Sequence, residues 1–489
     1  MGFVNLFGRL RQQPPARVPT DTVVPLVELD PYYYYAVELL FRFDCVLDAH
    51  QLQQSLSQLM EIGNWRQLGG RLRRRESNSD YQFDLHVPAQ FTEQRPAFIY
   101  RTFEWDGSID DHPVATRIPR MTNSISVHSV RDDLAPLIGT ADFPKTADDW
   151  IYSDYPGFFF QQINFHDATL LMTMFPHHLM DATGYGIFLD AWAAVLHGRI
   201  NDIPPSRSYS NDLDPCNTLA EKVPPERYIW HRHLMSRFNS LVYTARTIWD
   251  NLAKKEDRVV CIPSWFVEQI RADALKALST SQESAFVSES DVLVAWFSRL
   301  MLSAVNPSPS RSLMLVNAVD IRSTVLDDHQ RTAYLMNLIF MSHTVLPISE
   351  VLSQPISHLA SKIRAALISD RTAEQIQARI AWSKEVGRHP LIGPSDNFTC
   401  FITNWAKASL FSLDFSPAIV GERSSATPCT PSALLSYNDV QRITPSCCVV
   451  LGKDAESNWW MQWYLPKTAW KNVEKHLHPT SQSRCRKGV

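Results

Sequence analysis

His177, His178 and Asp181 stand in "MTMFPHHLMDATGYGIFLDAW", residues 172–192, between an apolar run and a helical pattern. Imidazole, with an unperturbed pKa of about 6.5, is matched to taking a proton from a hydroxyl at neutral pH. His177 lies four residues before Asp181 and His178 three. The bare pattern His-x-x-x-Asp is weak, because His128-Ser-Val-Arg-Asp132 repeats it within the same chain. Context separates the two. His177 follows an apolar strand and Pro176, where a loop can hold the ring at the mouth of a cleft, whereas His128 precedes the polar segment "RDDLAPLIG". Three readings fit His177 and Asp181: a general base with a supporting carboxylate, an inert loop histidine before a helix N-cap, or half of a metal site. The metal reading lacks a second cluster at ligand spacing, since "HRH" at 231–233 falls in a polar, solvated stretch. No G-x-S-x-G elbow supplies a serine nucleophile.

The elements around the motif follow from periodicity. "GFFFQQINF" and "TLLMTMF" read as two strands joined at "HDA", a hairpin that delivers the chain to Pro176. After Met180 the period becomes helical, with Phe188, Trp192, Val195 and Leu196 on one face. The histidines therefore sit at a strand-to-helix junction. Residues 34–60 read as a strand and a helix facing inward through Leu52, Leu56, Leu59 and Met60. In the second half, "SESDVLVAWFSRLMLSAV" reads as a helix and "SLMLVNAVDI" as a strand. "SCCVVLGKDAESNWWMQWYL" reads as a hairpin forming the edge of the second sheet, with a helix over "KTAWKNVEKHL" after it. Helices and strands alternate irregularly, which predicts a mixed α/β fold.

With 489 residues, 45% of them hydrophobic and 20% charged, the chain can build two cores. The expected organisation is residues 1–200, a polar and proline-rich crossover at 201–257 with one amphipathic stretch, and residues 258–489. A net charge of -4 and no basic run longer than "RLRRR" argue against nucleic acid as a partner. No apolar run reaches a membrane span, and the N-terminus matches neither a secretory signal nor a myristoylation site. These features predict a soluble cytoplasmic protein. The eight cysteines show no CxxC spacing and mostly lie in apolar runs, which predicts buried reduced thiols rather than a disulfide frame.

The segment "FPHHLMDATGYGIFLDAW" resembles the HxxxD block of the BAHD acyltransferases, CoA-dependent enzymes, and most closely that of the filamentous-fungal members related to trichothecene acetyltransferases. Further pieces fall in the family's order. "QSLSQLMEIGNWRQLGGRL" resembles the early helix and "GRL", and "SESDVLVAWFSRL" the Ser/Thr-x-x-Asp-x-x-x-Ala helix. "NAVDIRSTVLDDHQRTAYLMNLIF" resembles the strand, arginine and Y-x-G-N loop, with Met336 in place of glycine. "TNWAKASLFSLDFSPAIVGE" resembles the Asp-Phe-Gly-Trp-Gly segment, with Ser416, Pro417 and Ala418 after Asp414 and Phe415. The resemblance spans about residues 35–466.

The resemblance implies two similar chloramphenicol-acetyltransferase-like domains with the active site in a channel between them. It implies His177 as general base, with direct attack of a hydroxyl on an acyl-CoA thioester and no acyl-enzyme. Asp181 would pair with Arg322 and hold the loop. Ser288, Asn337 and Asp414 would lie near CoA or the channel, and Phe175, His178, Tyr185 and Trp405 in the acceptor pocket. Those aromatic residues fit an ordinary core equally well. The expected co-substrate is acyl-CoA, acetyl above all, with no metal and no tightly bound cofactor. The expected acceptor is an apolar polycyclic secondary metabolite, and the expected state a monomer. Transfer to an amine, or a degenerate relative that binds CoA or a metabolite without turnover, are the alternatives.

Overall fold

The computed structural model describes residues 14–26, 35–75, 82–129, 134–138, 143–210, 215–219, 223–280, 286–326, 332–387, 389–421, 428–437 and 446–477. The expected hairpin is present: Phe158–Asn164 and Thr169–Pro176 pair antiparallel, with Asn164 opposite Thr169. They lie in a five-stranded sheet ordered Pro431–Tyr437, Ala36–Phe43, Thr169–Pro176, Phe158–Asn164, Phe98–Glu104. Two helices cover this sheet. Ala49–Leu59 is capped by the Asp48 carboxylate and buries Leu52, Leu56 and Leu59, while Ala182–Leu196 buries Phe188, Trp192 and Val195.

A seven-stranded sheet runs Ile339–Pro347, Ser312–Asp320, Phe398–Asn404, Ser446–Lys453, Trp459–Pro466, Lys255–Ile262, Ser126–Ser129. Its three central neighbours Ser312–Asp320, Phe398–Asn404 and Ser446–Lys453 are parallel. The hairpin 446–466 is therefore in the interior of this sheet, not at the edge expected from the sequence. Lys255–Ile262 covers its free side, because both faces of Trp459–Pro466 are buried and its backbone needs a partner on each edge. A third sheet, of three strands, holds Thr22–Pro25, Phe83–Val87 and Arg71–Arg74. The fold is mixed α/β, as expected.

Sheet membership does not follow the chain boundary drawn at residues 200 and 258. Ser126–Ser129 of the first half adds an edge strand to the seven-stranded sheet, and Pro431–Tyr437 of the second half adds one to the five-stranded sheet. Each half thus pairs its backbone into the other. His128 lies in the first of these exchanged strands, with its ring against the Ser126 hydroxyl at 2.9 Å, while Asp132 lies outside the described residues.

One apolar core fills the first sheet and continues across the seam to Met314, Val316, Tyr334, Cys447 and Trp460 of the second half. A second core lies between the seven-stranded sheet and the helices Ser264–Thr280, Glu289–Val305, Ile356–Asp370 and Lys467–Leu477. Among the described residues no helix is long and apolar enough to cross a membrane.

The cysteines correct one expectation. Cys261, Cys400, Cys447 and Cys448 are buried thiols, as expected, but Cys45 and Cys429 form a disulfide. Their separation of 384 residues leaves no local spacing to read. The pairing of Phe43 with Pro431 at the strand ends is what brings them together.

The helix Ala182–Leu196 lies directly on the second half. A methyl added at Gly184 would stand 2.0 Å from the Leu335 carbonyl oxygen, and one at Gly186 would stand 2.4 Å from that of Ala408. Glycine costs about 1 kcal/mol against alanine inside a helix. These two are retained because another backbone occupies the space. Gly184→Ala should therefore destabilise the protein by about 3 kcal/mol in a urea melt, despite its better helix propensity. A variant as stable as the parent would show that the helix does not seat on residue 335.

Candidate active site

The strand Thr169–Pro176 ends at Pro176 and the chain turns at once, with the Leu179 N–H donating to the Pro176 carbonyl at 3.0 Å. His177 is held at both of its backbone groups. Its N–H donates to the Tyr35 carbonyl at 2.9 Å, and its own carbonyl accepts from Asn337 Nδ2 at 2.9 Å. The Tyr35 ring meets the imidazole edge-on, centroids 5.0 Å apart. His177 is half-buried and forms part of the wall of a cavity in the seam. Burial holds its pKa below the ordinary value, against the pull of Asp181, which favours the neutral ring able to accept a proton.

Four residues on, Asp181 ends the loop and begins the helix. Its Oδ1 accepts from the Gly184 N–H at 2.9 Å and its Oδ2 from the Leu338 N–H at 2.9 Å. Arg322 closes on both oxygens, at 2.9 and 3.0 Å. The N-cap and the ion pair were competing expectations, and one carboxylate does both. Arg322 uses its remaining N–H groups on the Asp320 carboxylate and the carbonyls of Tyr334 and Met336, at 2.8, 3.0 and 2.7 Å. Burial opposes its charge, but Asp181 and Asp320 outweigh that and raise its pKa above the usual arginine value.

The cavity beside His177 measures about 140 Å³. The first half contributes Val37, Leu39, Phe175 and Tyr185 to its wall, and the second half Val316, Phe401, Trp405 and Cys447. Tyr185 stacks on Phe175 at 4.9 Å and anchors its hydroxyl on Thr173 Oγ1 at 2.7 Å. The Trp405 indole N–H donates to Thr403 Oγ1 at 3.0 Å. Beyond Leu410, which belongs to both walls, lies a second, polar cleft of about 540 Å³ lined by Arg271, Ser288, Glu289, Ser290, Ser409 and Lys453, with the Lys453 ammonium paired to the Glu289 carboxylate. Ser288 caps the helix Glu289–Val305 in a reciprocal box with Asp291, which steadies the start of this helix at the cleft.

Of the residues singled out in the sequence, Phe175, His177, Asp181, Tyr185 and Trp405 meet at the first cavity and Ser288 at the second. Arg322 lines neither and reaches the site through Asp181, and three more fall elsewhere. His178 is buried off the cavity wall, with neither ring nitrogen partnered, because the turn after Pro176 sends consecutive side chains to opposite sides. Asn337 lines neither space and instead clamps the His177 carbonyl. Asp414 also lines neither: it sits 3.3 Å from the His197 ring and accepts from the Ser416 N–H at 2.9 Å. Phe415 beside it packs between Phe43 and Trp192, so this segment ties the second half to the first sheet. Sequence reading missed Tyr35, Arg271, Lys453 and Cys447, none of which carries a local signal. It also passed over Gly184 and Gly186, whose presence inside an amphipathic helix was a legible sign of close approach. Among the described residues no cluster of three or more His, Cys, Asp or Glu is placed to hold a metal ion.

The model of the Transferase family matches residues 143–426, which include the His177 loop, Arg322 and the Asp414 segment. The chain is 47% identical to the O-acyltransferase ausP of Aspergillus calidoustus over 99% of its own length and 100% of that protein. The chain belongs to the BAHD transferase family. It is an acyltransferase. It is also 33% identical to the acetyltransferase adrJ of Penicillium rubens, over 98% of this chain and all of the relative. The crystal structure of F. sporotrichioides TRI101 complexed with coenzyme A and T-2 superposes with a TM-score of 0.62 at 15% identity, covering 95% of this chain and 98% of that one. The two-domain BAHD fold is thereby shared.

Two outcomes follow for this acyltransferase. Asp181→Asn leaves the buried Arg322 with Asp320 but without its bidentate carboxylate, so stability should drop by about 3 kcal/mol in a denaturant melt. Arg322→Lys should fare no better, since an ammonium cannot reproduce the planar fork; recovery by lysine would mean that charge alone matters.

The second outcome concerns pH. Burial first, and the neighbouring His177 second, push the His178 pKa down to about 3. Its folded value lies below the unfolded one of about 6.5, so in acid the unfolded chain binds more protons. Its contribution is complete above about pH 6.5 and should shrink by about 2 kcal/mol by pH 5, at about 1.36 kcal/mol per unit. His178→Gln should flatten that part of the acid limb in thermal melts from pH 7 to 5, and an unchanged slope would place the titration elsewhere.

Proposed function

We propose that this protein transfers an acetyl group from acetyl-CoA to a hydroxyl of an apolar, polycyclic secondary metabolite, with His177 as general base. The observation that carries the reading is the His177 imidazole on the wall of an apolar cavity that shares Leu410 with a polar, charged cleft. A hydroxyl is a poor nucleophile until its proton has somewhere to go. In the proposed step the neutral imidazole accepts that proton while the oxygen attacks the thioester carbonyl. The resulting tetrahedral adduct collapses with cleavage of the C–S bond, and the imidazolium returns the proton to the departing sulfur. The products are an ester and free CoA thiol, and no acyl-enzyme forms.

Arg271, and Lys453 once it is exchanged from Glu289, suit the phosphates of CoA, with the thioester arm passing Leu410 toward His177. The solved neighbour holding coenzyme A together with the small molecule T-2 supports a site of this kind. The acetyltransferase adrJ supports the choice of acyl group. Aromatic and aliphatic walls favour an acceptor without charge, held by Phe175, Tyr185 and Trp405. Asp181 and Arg322 hold the loop in place and do not touch substrate. Both cavity walls come from one chain, which supports action as a monomer.

The purified protein should release thiol from acetyl-CoA only when an acceptor is added, with and without EDTA, and the product should gain an acetyl mass. His177→Ala should lose at least about a hundredfold in rate while keeping its melting temperature. The acid limb of kcat/KM should fall below about pH 6.5, because burial lowers the His177 pKa. His178→Ala should keep most of the rate. A dead His178→Ala beside a near-normal His177→Ala would overturn the assignment, and loss in EDTA restored by zinc would replace base catalysis by a metal mechanism. CoA binding without turnover for any acceptor would point to a binding protein.

A further inference from the structure

The helix Arg237–Asp250, in the crossover between the two halves, is mounted with its sides reversed. None of its residues is buried. At about 100° per residue, Phe238, Leu241, Ala245, Ile248 and Trp249 fall on one stripe, which Leu252 continues past the last turn. That stripe faces solvent: Phe238, Leu241, Ile248, Trp249 and Leu252 are 72, 68, 57, 75 and 68% exposed. The polar side faces the protein. The Tyr243 hydroxyl bonds Thr399 Oγ1 at 2.8 Å, Asp250 takes both terminal nitrogens of Arg311 at 3.0 and 2.8 Å, and the Asn251 side chain accepts from Lys255. An ordinary surface helix does the opposite. Single exposed apolar residues are normal, but five on one continuous stripe mark a surface that meets something.

The charges at its rim identify the partner. Arg237 and Arg246 stand exposed on the two edges of the stripe and Lys254 beyond its end. The one acid of the helix, Asp250, is spent on Arg311. A chain of net charge -4 therefore presents here an apolar strip between cations. Pairing with a second copy would bring like charges together with no acid to meet them. A helix about 21 Å long also offers only a few hundred Å² per partner, against about 800 Å² in a stable interface. Phe, Leu and Trp along one face, flanked by Arg and Lys, suit a helix lying in the headgroup layer of an anionic bilayer.

We propose that the helix Arg237–Asp250 docks this protein peripherally on an anionic membrane surface. The docking stands independently of the reaction. Its consequence for the reaction rests on the acyltransferase reading above. Thr399, which receives the helix, begins the strand Phe398–Asn404, whereas Gly452 and Lys453 of the polar cleft end its parallel neighbour Ser446–Lys453, about 25 Å away along the sheet. The membrane would lie at the end of the sheet away from the charged cleft. An apolar acceptor could then leave lipid on one side while CoA arrives from water on the other.

The test is co-sedimentation of the full chain with phosphatidylcholine vesicles, with and without phosphatidylserine, at low and high salt. Binding should require phosphatidylserine and weaken with salt. Leu241→Glu with Trp249→Glu should weaken it at least about tenfold, and Arg237→Gln with Arg246→Gln by about fivefold per arginine. Melting temperature and thiol release with a water-soluble acceptor should not change in either variant. If the wild type does not sediment, or both variants bind as it does, the proposal fails. A concentration-dependent dimer dispersed by Leu241→Glu, without vesicle binding, would assign the stripe to a second copy instead.

Discussion

The closure of Arg322 on Asp181 is the interaction on which the site depends. Both side chains are buried, at 8 and 5% exposure, so each would be costly alone. The cost is offset because no hydrogen-bonding capacity is left over. The guanidinium directs all its N–H groups at Asp181, Asp320 and two carbonyls, and the carboxylate accepts from Arg322, Gly184 and Leu338. The residues so joined are the first turn of one helix in the first half and the segment 320–338 of the second. The His177 loop is the short piece of chain between that knot and the end of a central strand. Its position is therefore set by the docking of the halves.

Other features make the seam a fixed joint. Each sheet carries an edge strand from the other half, so separating the halves would break two backbone ladders. Gly184 and Gly186 let a helix rest on the backbone at Leu335 and Ala408. Phe415 fills the gap between Phe43 and Trp192 even though Ser416, Pro417 and Ala418 replace the usual glycine-rich sequence. A base that must stand within hydrogen-bond reach of a bound hydroxyl gains from such rigidity, because small misplacements are costly in rate.

The seam also separates two kinds of surface. Around His177 the walls are aromatic and aliphatic, which keeps the ring neutral and ready to accept a proton. Past Leu410 the surface turns polar, with Arg271 and the Lys453–Glu289 pair in its wall. The reversed helix in the crossover extends this asymmetry to the outside of the molecule, since it lies at the opposite end of the sheet from the polar cleft.

The sequence by itself determined the local elements around the motif and singled out His177 as the candidate base. The hairpin before Pro176, the helix after Asp181 and the mixed α/β class followed from periods of two and about 3.6. The choice of His177 over His128 followed from what precedes each. The partner Arg322 came from resemblance to a family, since no periodicity links residues 141 apart. Tertiary structure alone decided the rest. It placed His178 off the cavity and Asn337 on the His177 carbonyl, because a tight turn reverses successive side chains. It moved the 446–466 hairpin into the middle of its sheet, because hydrogen-bonding partners arrive from remote strands. It joined Cys45 to Cys429 and turned the apolar side of Arg237–Asp250 outward. The period of that helix was legible, but which face meets solvent depends on where Thr399 and Arg311 stand when the chain is folded.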